Sequence, residues 1–209
     1  MTSPRTQEEL AGLAHKFLTE WSAVEDHPID IEHYLEKHHK IKCLPSYEMP
    51  ALCNEGGSVA LDGTRIYLDP RNYKDPKFAF RLRMTIAHEF GHLRLHSNVF
   101  ARLSSEQDIQ ELLKFFTDNT GVADQYEIQA FTLAGYILVP EETIAKVTKK
   151  VASEMSARYR QKSGKDLDLA SNEVWRVVAG EVARRYEVTP QAVTKRLQWS
   201  GLWGRPLST

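Results

Sequence analysis

Apolar positions in residues 6–25 recur at Leu10, Leu13, Ala14, Phe17, Leu18, Trp21 and Val24, the period of a helix with one buried face. Residues 28–35 predict a second, short helix with Pro28 in its first turn. Residues 41–55 carry no period and hold Pro45 and Pro50, so they read as irregular. Two short apolar runs, 58–61 and 65–68, flank Asp62-Gly63-Thr64, the pattern of a hairpin. A polar loop, 69–76, precedes a long apolar helix running from near Pro76 to about His96. Helical periods return at 104–118 (Ile109, Leu112, Leu113, Phe116, with Ser105 as cap), at 124–140, at 141–156 and at 174–186. Thr189 as N-cap with Pro190 after it starts a last short helix through Leu197. The expectation is an α+β fold, mostly helical, with a small antiparallel sheet.

Within the long apolar helix lies His88-Glu89-Phe90-Gly91-His92. On a helix, His88 and His92 stand about 40° apart around the axis and roughly 6 Å along it. Both rings then leave one face and can share one Zn²⁺ at about 2.0–2.1 Å. Glu89, one residue round, can take a proton from a water there and later pass it to a leaving amine. Gly91 costs a helix up to about 1 kcal/mol against Ala, which a close approach of another element would explain. The bland alternative is a buried helix with locally satisfied histidines. Two imidazoles and a carboxylate are costly to bury without a partner, which favours the metal. His96 lies about 12 Å along the helix from His88 and cannot share that ion. It is expected to cap the helix end, to hydrogen-bond a ligand from behind, or simply to pack.

A third ligand is sought downstream. Glu127, Ala130, Phe131, Ala134 and Leu138 share one helix face, and a carboxylate at the start of an apolar stripe is out of place without a cation. Asp124, one turn earlier, is the competing candidate. The trio His33, His38 and His39 reads instead as a solvated helix end, since no carboxylate or cysteine lies at ligand spacing.

Composition narrows the classes. A net charge of −1 marks no obvious polyanion binder. No apolar run approaches a membrane span and residues 1–20 hold no apolar signal core, so a cytoplasmic protein with no membrane association is expected. Cys43 and Cys53 are too few for a disulfide framework and read as reduced thiols. Residues 141–209 hold thirteen basic and eight acidic residues, a net of +5.

The sequence His88-Glu89-Phe90-Gly91-His92 with Leu95-His96 resembles the His-Glu-Leu-Gly-His-x-x-Leu-His core of the ImmA/IrrE family of metallopeptidases. Glu127-x-Gln129-Ala130 with Ala134 and Ile137-Leu138-Val139-Pro140 resembles that family's second motif, with matching spacing to the proline. Phe90, Gln129, Leu133 and Val139 depart from the pattern without touching a presumed ligand. The resemblance covers roughly residues 25–200. It implies a zincin-like fold, one zinc on His88, His92 and Glu127, and Glu89 as base, in a bacterial or phage setting. It further implies an endopeptidase whose protein substrate is a helix-turn-helix transcriptional repressor, cut to release phage, mobile-element or stress genes. The stretch 98–124 is long for the family and is expected to shape the substrate groove. Residues 1–150 would form the zincin-like peptidase domain with its N-terminal helix. Residues 151–209 would form a helical, helix-turn-helix-like segment packed on it.

Two rivals remain. Residues 174–200 could read DNA through Gln191, Thr194, Lys195 and Gln198, with a structural or vestigial zinc site. Family members carry a similar Val-Ser-x-x-Ala-x-x-x-Arg-Leu tail inside the peptidase domain, which favours a closing helical hairpin, with Trp199 and Trp203 as packing anchors. The other rival is a sensor that binds a repressor without cutting it. No residue is marked as oxyanion stabiliser; Tyr126, Tyr136 and His96 are the candidates.

Overall fold

The first helix, α1 (Gln7–Glu20), begins at a reciprocal cap: Thr6 accepts from the Glu9 amide, and the Glu9 carboxylate accepts from the Thr6 amide. Its buried stripe is Leu10, Ala14, Phe17 and Leu18, continued by Trp21 beyond the helix end. These coordinates are a computed structural model describing residues 5–46, 57–60, 62–97, 110–111, 114, 117–118 and 120–204. The expected 104–118 helix, its Ser105 cap and Cys53 lie largely or wholly outside the described residues.

The second helix starts later than its proline suggests. Asp30 caps α2 (Ile31–Tyr34), which continues as a wider π-type turn through His39 and stops at Lys40 in the left-handed region. Pro28 precedes the cap and is not in the first turn. His33 and His38 are exposed, as expected of a solvated helix end. His39 departs from that expectation. It is half-buried between Phe17, Trp21 and Phe90, with Arg94 against its ring. Burial first, then the Arg94 charge, lowers its pKa to about 4.

Three strands follow: β1 (Lys42–Pro45), β2 (Gly57–Val59) and β3 (Arg65–Leu68). The hairpin is as the Asp-Gly turn predicts: β2 pairs antiparallel with β3, Val59 opposite Ile66. Asp62 accepts from the Thr64 amide, and Gly63 takes φ +69°. Residues read as irregular supply β1, which pairs parallel with β3, Cys43 opposite Ile66. The sheet, ordered β1-β3-β2, is therefore mixed and not purely antiparallel. Its eligible strand was hidden because β1 is short, mostly exposed and ends in Pro45. Cys43 is a half-buried free thiol, and burial pushes its pKa up to about 12.

The expected loop 69–76 contains a short helix, α3 (Pro70–Lys74), capped by Asp69. One 3₁₀ turn (Pro76–Phe78) then leads into α4 (Ala79–Leu95). Helix α5 (Thr120–Leu138) packs more extensively on α4 than any other element does. The reason is visible at Gly91: a Cβ there would stand 2.9 Å from the Ala130 carbonyl oxygen and 3.0 Å from its Cα. The glycine permits backbone-to-backbone contact.

Helix α6 (Glu141–Ser163) runs seven residues past its expected end, because the basic 158–163 stretch is made of helix formers until Gly164 takes φ +69°. Helices α7 (Asn172–Tyr186) and α8 (Pro190–Trp199) form the helix-turn-helix-like pair. Arg196 of α8 is fully buried. Its Nε donates to the Val139 carbonyl at 3.1 Å, its Nη2 to Glu141 at 2.6 Å, and its guanidinium lies over the Tyr136 ring at 3.9 Å. That side chain fastens α8 to the α5–α6 junction. Trp203 packs against Trp175 and Trp199 stacks on Tyr136, so both are packing anchors. Among the described residues, no helix is long and apolar enough to cross a membrane.

Two outcomes are expected. Gly91→Ala should lose about 1–3 kcal/mol in urea denaturation, because a backbone cannot yield as a side-chain tip can; unchanged stability would show that α4 and α5 slide apart freely. For His39, the unfolded ring titrates near 6.5 and the folded ring near 4, so the folded state binds fewer protons between them. Its contribution is fully present above pH ~6.5 and lost as pH falls toward about 4. His39→Phe should flatten the stability–pH curve across that window.

Candidate metal centre

Helix α4 carries His88 and His92 one turn apart with Glu89 next to His88, and α5 carries Glu127 one turn before its contact point Ala130. The Gly91–Ala130 approach therefore sets the spacing between the histidines and the carboxylate. The His88 and His92 Nε2 atoms are 2.9 Å apart. Glu127 places Oε2 3.1 Å from His88 Nε2 and Oε1 3.4 Å from His92 Nε2. Three donor atoms thus lie within 4.8 Å of one another.

This cluster fits a small divalent cation. Ligand atoms at about 2.0–2.1 Å on a tetrahedral ion stand roughly 3.3–3.4 Å from each other, close to the separations seen. Two imidazole nitrogens and a carboxylate this close together can share one cation. The electrostatics agree: the facing His88 and His92 rings hold the Glu127 carboxyl well below the usual carboxylate range. Asp124, the competing ligand candidate, is exposed and lies outside the donor group.

Glu89 has a different environment. It is 7% exposed, and burial pushes its carboxyl above the usual range, with the two histidines pulling weakly the other way. A residue that sequence reasoning did not single out presses on it. Gly57 of the edge strand β2 leaves room where a Cβ would lie 2.5 Å from Thr85 Cγ2 and 3.0 Å from Glu89 Oε1. The only sequence signal was the Gly56-Gly57 pair, which reads equally well as a loop.

His96 stands behind the cluster. It ends α4 with its amide on the His92 carbonyl, and its Nδ1 is 3.1 Å from His92 Nδ1. The ring is buried beside Tyr126, and burial lowers its pKa to about 3. A neutral His96 can accept the His92 Nδ1–H only with its own proton on Nε2. That atom is buried with no hydrogen-bond partner among the described residues. Of the three oxyanion candidates, Tyr136 packs under Arg196, while Tyr126 lies against His96 and His96 against His92.

The cluster opens into a cleft of about 1060 Å³. Its lining includes His88, Glu89 and Glu127 together with Gln191, Lys195 and Trp199 of α8. Thr194 and Gln198, also proposed for a groove-reading face, are not in that wall.

Comparison with known proteins places this geometry. Among curated proteins, none matches the sequence closely. A solved structure described as a Mycobacterium tuberculosis transcriptional regulator shares the fold, with TM-score 0.53 and 14% identity. The match covers 91% of this chain and 46% of that one, so this chain spans about half the length of its structural neighbour. A family model described as the IrrE N-terminal-like domain matches residues 72–198, taking in the α4 and α5 motifs and the α7–α8 pair. The chain belongs to that peptidase family, Peptidase_M78.

Proposed function

We propose that the chain is a zinc-dependent endopeptidase, with His88, His92 and Glu127 holding one Zn²⁺ and Glu89 as general acid–base. The observation that carries this is the convergence of three donor atoms from two helices beside a buried carboxylate outside the donor group, in the lining of a cleft. Zinc bound there would supply Lewis-acid polarisation of the scissile carbonyl and would acidify water. Glu89 takes a proton from the attacking water at its carboxylate and delivers it to the departing amine. Strand β2 is at the sheet edge and touches Glu89 through Gly57, so its outer edge is where an extended substrate backbone would pair.

The substrate proposed is a helix-turn-helix transcriptional repressor, cut in the cytoplasm to release phage, mobile-element or stress genes. What supports a protein substrate is membership of the IrrE-like peptidase family; the fold shared with a protein described as a transcriptional regulator bears on the fold alone. The proposed division into 1–150 and 151–209 falls inside α6 (Glu141–Ser163) and inside the family match over 72–198, so we read both parts as one peptidase unit in which α8 serves the cleft. The DNA-reading alternative is less well supported, because two of its four presumed base contacts, Gln191 and Lys195, line that cleft. A gel shift that depends on sequence and survives Glu89→Gln would restore it.

Glu89→Gln is expected to keep about one zinc per chain and to lose cleavage of a repressor panel by about a hundredfold or more; full activity would remove Glu89 from the chemistry. His96 tests the support behind the metal. His96→Ala should weaken zinc binding by about tenfold in a chelator competition. His96→Asn, whose Oδ1 can still accept from His92 Nδ1–H, should recover most of that loss, and His96→Gln should not. Equal affinity in all three would leave His96 with packing alone.

A further inference from the structure

Helix α6 outruns the core it packs on. Its buried residues end at Val151 and Ala152, yet the helix continues to Ser163. At about 100° per residue, Met155 and Tyr159 prolong the stripe of Thr148, Val151 and Ala152. Both line a groove of about 300 Å³, together with Val174 and Val177 of α7. Tyr159 is 42% exposed and Val177 55%. Val177 lies off the buried stripe of α7, which holds Trp175, Val178, Ala179 and Val182. A β-branched residue on an exposed helix face lowers helix propensity, so α7 gains nothing from Val177 by itself.

The local charges leave two cations over. Residues 151–188 are all described, and each acid among them has a partner. Glu154 pairs with Arg185, Asp166 with Arg160, Glu181 with Arg184 and Glu187 with Arg83. Asp168 accepts from the Ala170 amide, and Glu173 from the Ser171 hydroxyl. Arg158 and Lys162 also line the groove and are exposed. Neither side chain has an ion pair or hydrogen bond to a described residue. Four residues apart on one helix, they are neighbours on the same flank of the apolar stripe, roughly 6 Å apart along the axis. Like charges at that spacing weaken a helix slightly unless something anionic meets them.

The walls also limit the form of an occupant. Two helices bond their main-chain groups internally and offer no strand edge, so an occupant has to satisfy its own backbone, as a helix does. We propose that the α6–α7 groove docks an amphipathic helix of another protein. Its apolar face would seat on Met155, Tyr159, Val174 and Val177, and two acidic residues one turn apart would meet Arg158 and Lys162. None of the residues lining the metal-centre cleft belongs to α6 or α7, so this docking site does not depend on the peptidase reading.

To test it, the full chain is panned against displayed helix-forming peptides randomised on one face, and enriched peptides are titrated by fluorescence anisotropy. Enriched peptides should carry large apolar residues at helical spacing, with Asp or Glu one turn apart beside them. Changing those acids to Gln should weaken binding about fivefold. Arg158→Glu with Lys162→Glu should weaken it at least as much, and that chain should regain affinity for a peptide with Lys in place of the acids. Val177→Asp should weaken binding about tenfold, with circular dichroism unchanged because the position is exposed. No enriched peptide, enrichment without acids, or affinity indifferent to these substitutions overturns the proposal. So does sedimentation equilibrium showing dimers that Arg158→Glu dissociates, which would give the groove to a second copy of the chain. Binding to phosphatidylglycerol–phosphatidylcholine vesicles through Arg158 and Lys162, with no peptide bound, would give it to a lipid surface and overturn the proposal equally.

Discussion

The contact between Gly91 and Ala130 is the constraint on which the site depends. A helix pair ordinarily keeps its axes 8–10 Å apart because side chains intervene. Here one side chain is missing and the other is a methyl, so the α4 backbone rests on the α5 backbone. His88 and His92 flank the contact on one helix, and Glu127 lies one turn before it on the other. The three donor atoms meet because the two backbones meet. A longer side chain at either position would separate the helices by an amount comparable with a metal–ligand bond length.

The rest of the fold holds that contact under load from two sides. Phe17 and Trp21 from α1 pack on Phe90, the residue between the site's Glu89 and Gly91. From the other side, Arg196 ties α8 to the end of α5 through a carbonyl, a carboxylate and an aromatic face. The buried charge is paired with Glu141 and two of its nitrogens are used, while Nη1 is buried without a hydrogen-bond partner among the described residues. The arginine lets a polar, cationic helix lie against an apolar one without itself being exposed. The result is that α8 presents Gln191 and Lys195 to the cleft, so a segment that looks like a DNA reader in outline becomes part of the cleft wall.

Two carboxylates a few ångströms apart acquire opposite characters from their surroundings. Glu127 faces two imidazoles and keeps its charge; Glu89 is walled in by β2 and its own helix and holds a proton more readily. Surroundings of opposite kind thus push two like groups in opposite directions. Gly57 contributes by absence: the missing side chain lets the edge strand close over Glu89 without displacing it.

Much of this was legible in the chain. The spacing of His88 and His92, the misplaced carboxylate at Glu127, the Asp-Gly turn and the Thr189-Pro190 cap are local signals, and periodicity or turn chemistry reports local signals well. The sequence even showed that Gly91 needed an explanation. It could not name Ala130, because a close approach involves two segments some forty residues apart. Strand β1, the helix within 69–76, the parallel pairing, the half-burial of His39 and the pressure of Gly57 on Glu89 were likewise invisible. Each is decided by what arrives from elsewhere in the chain and leaves no period behind. The face that α8 turns to the cleft belongs in the same class: its amphipathic pattern fixed which side is buried, and only the burial of Arg196 against α5 decided where the other side points.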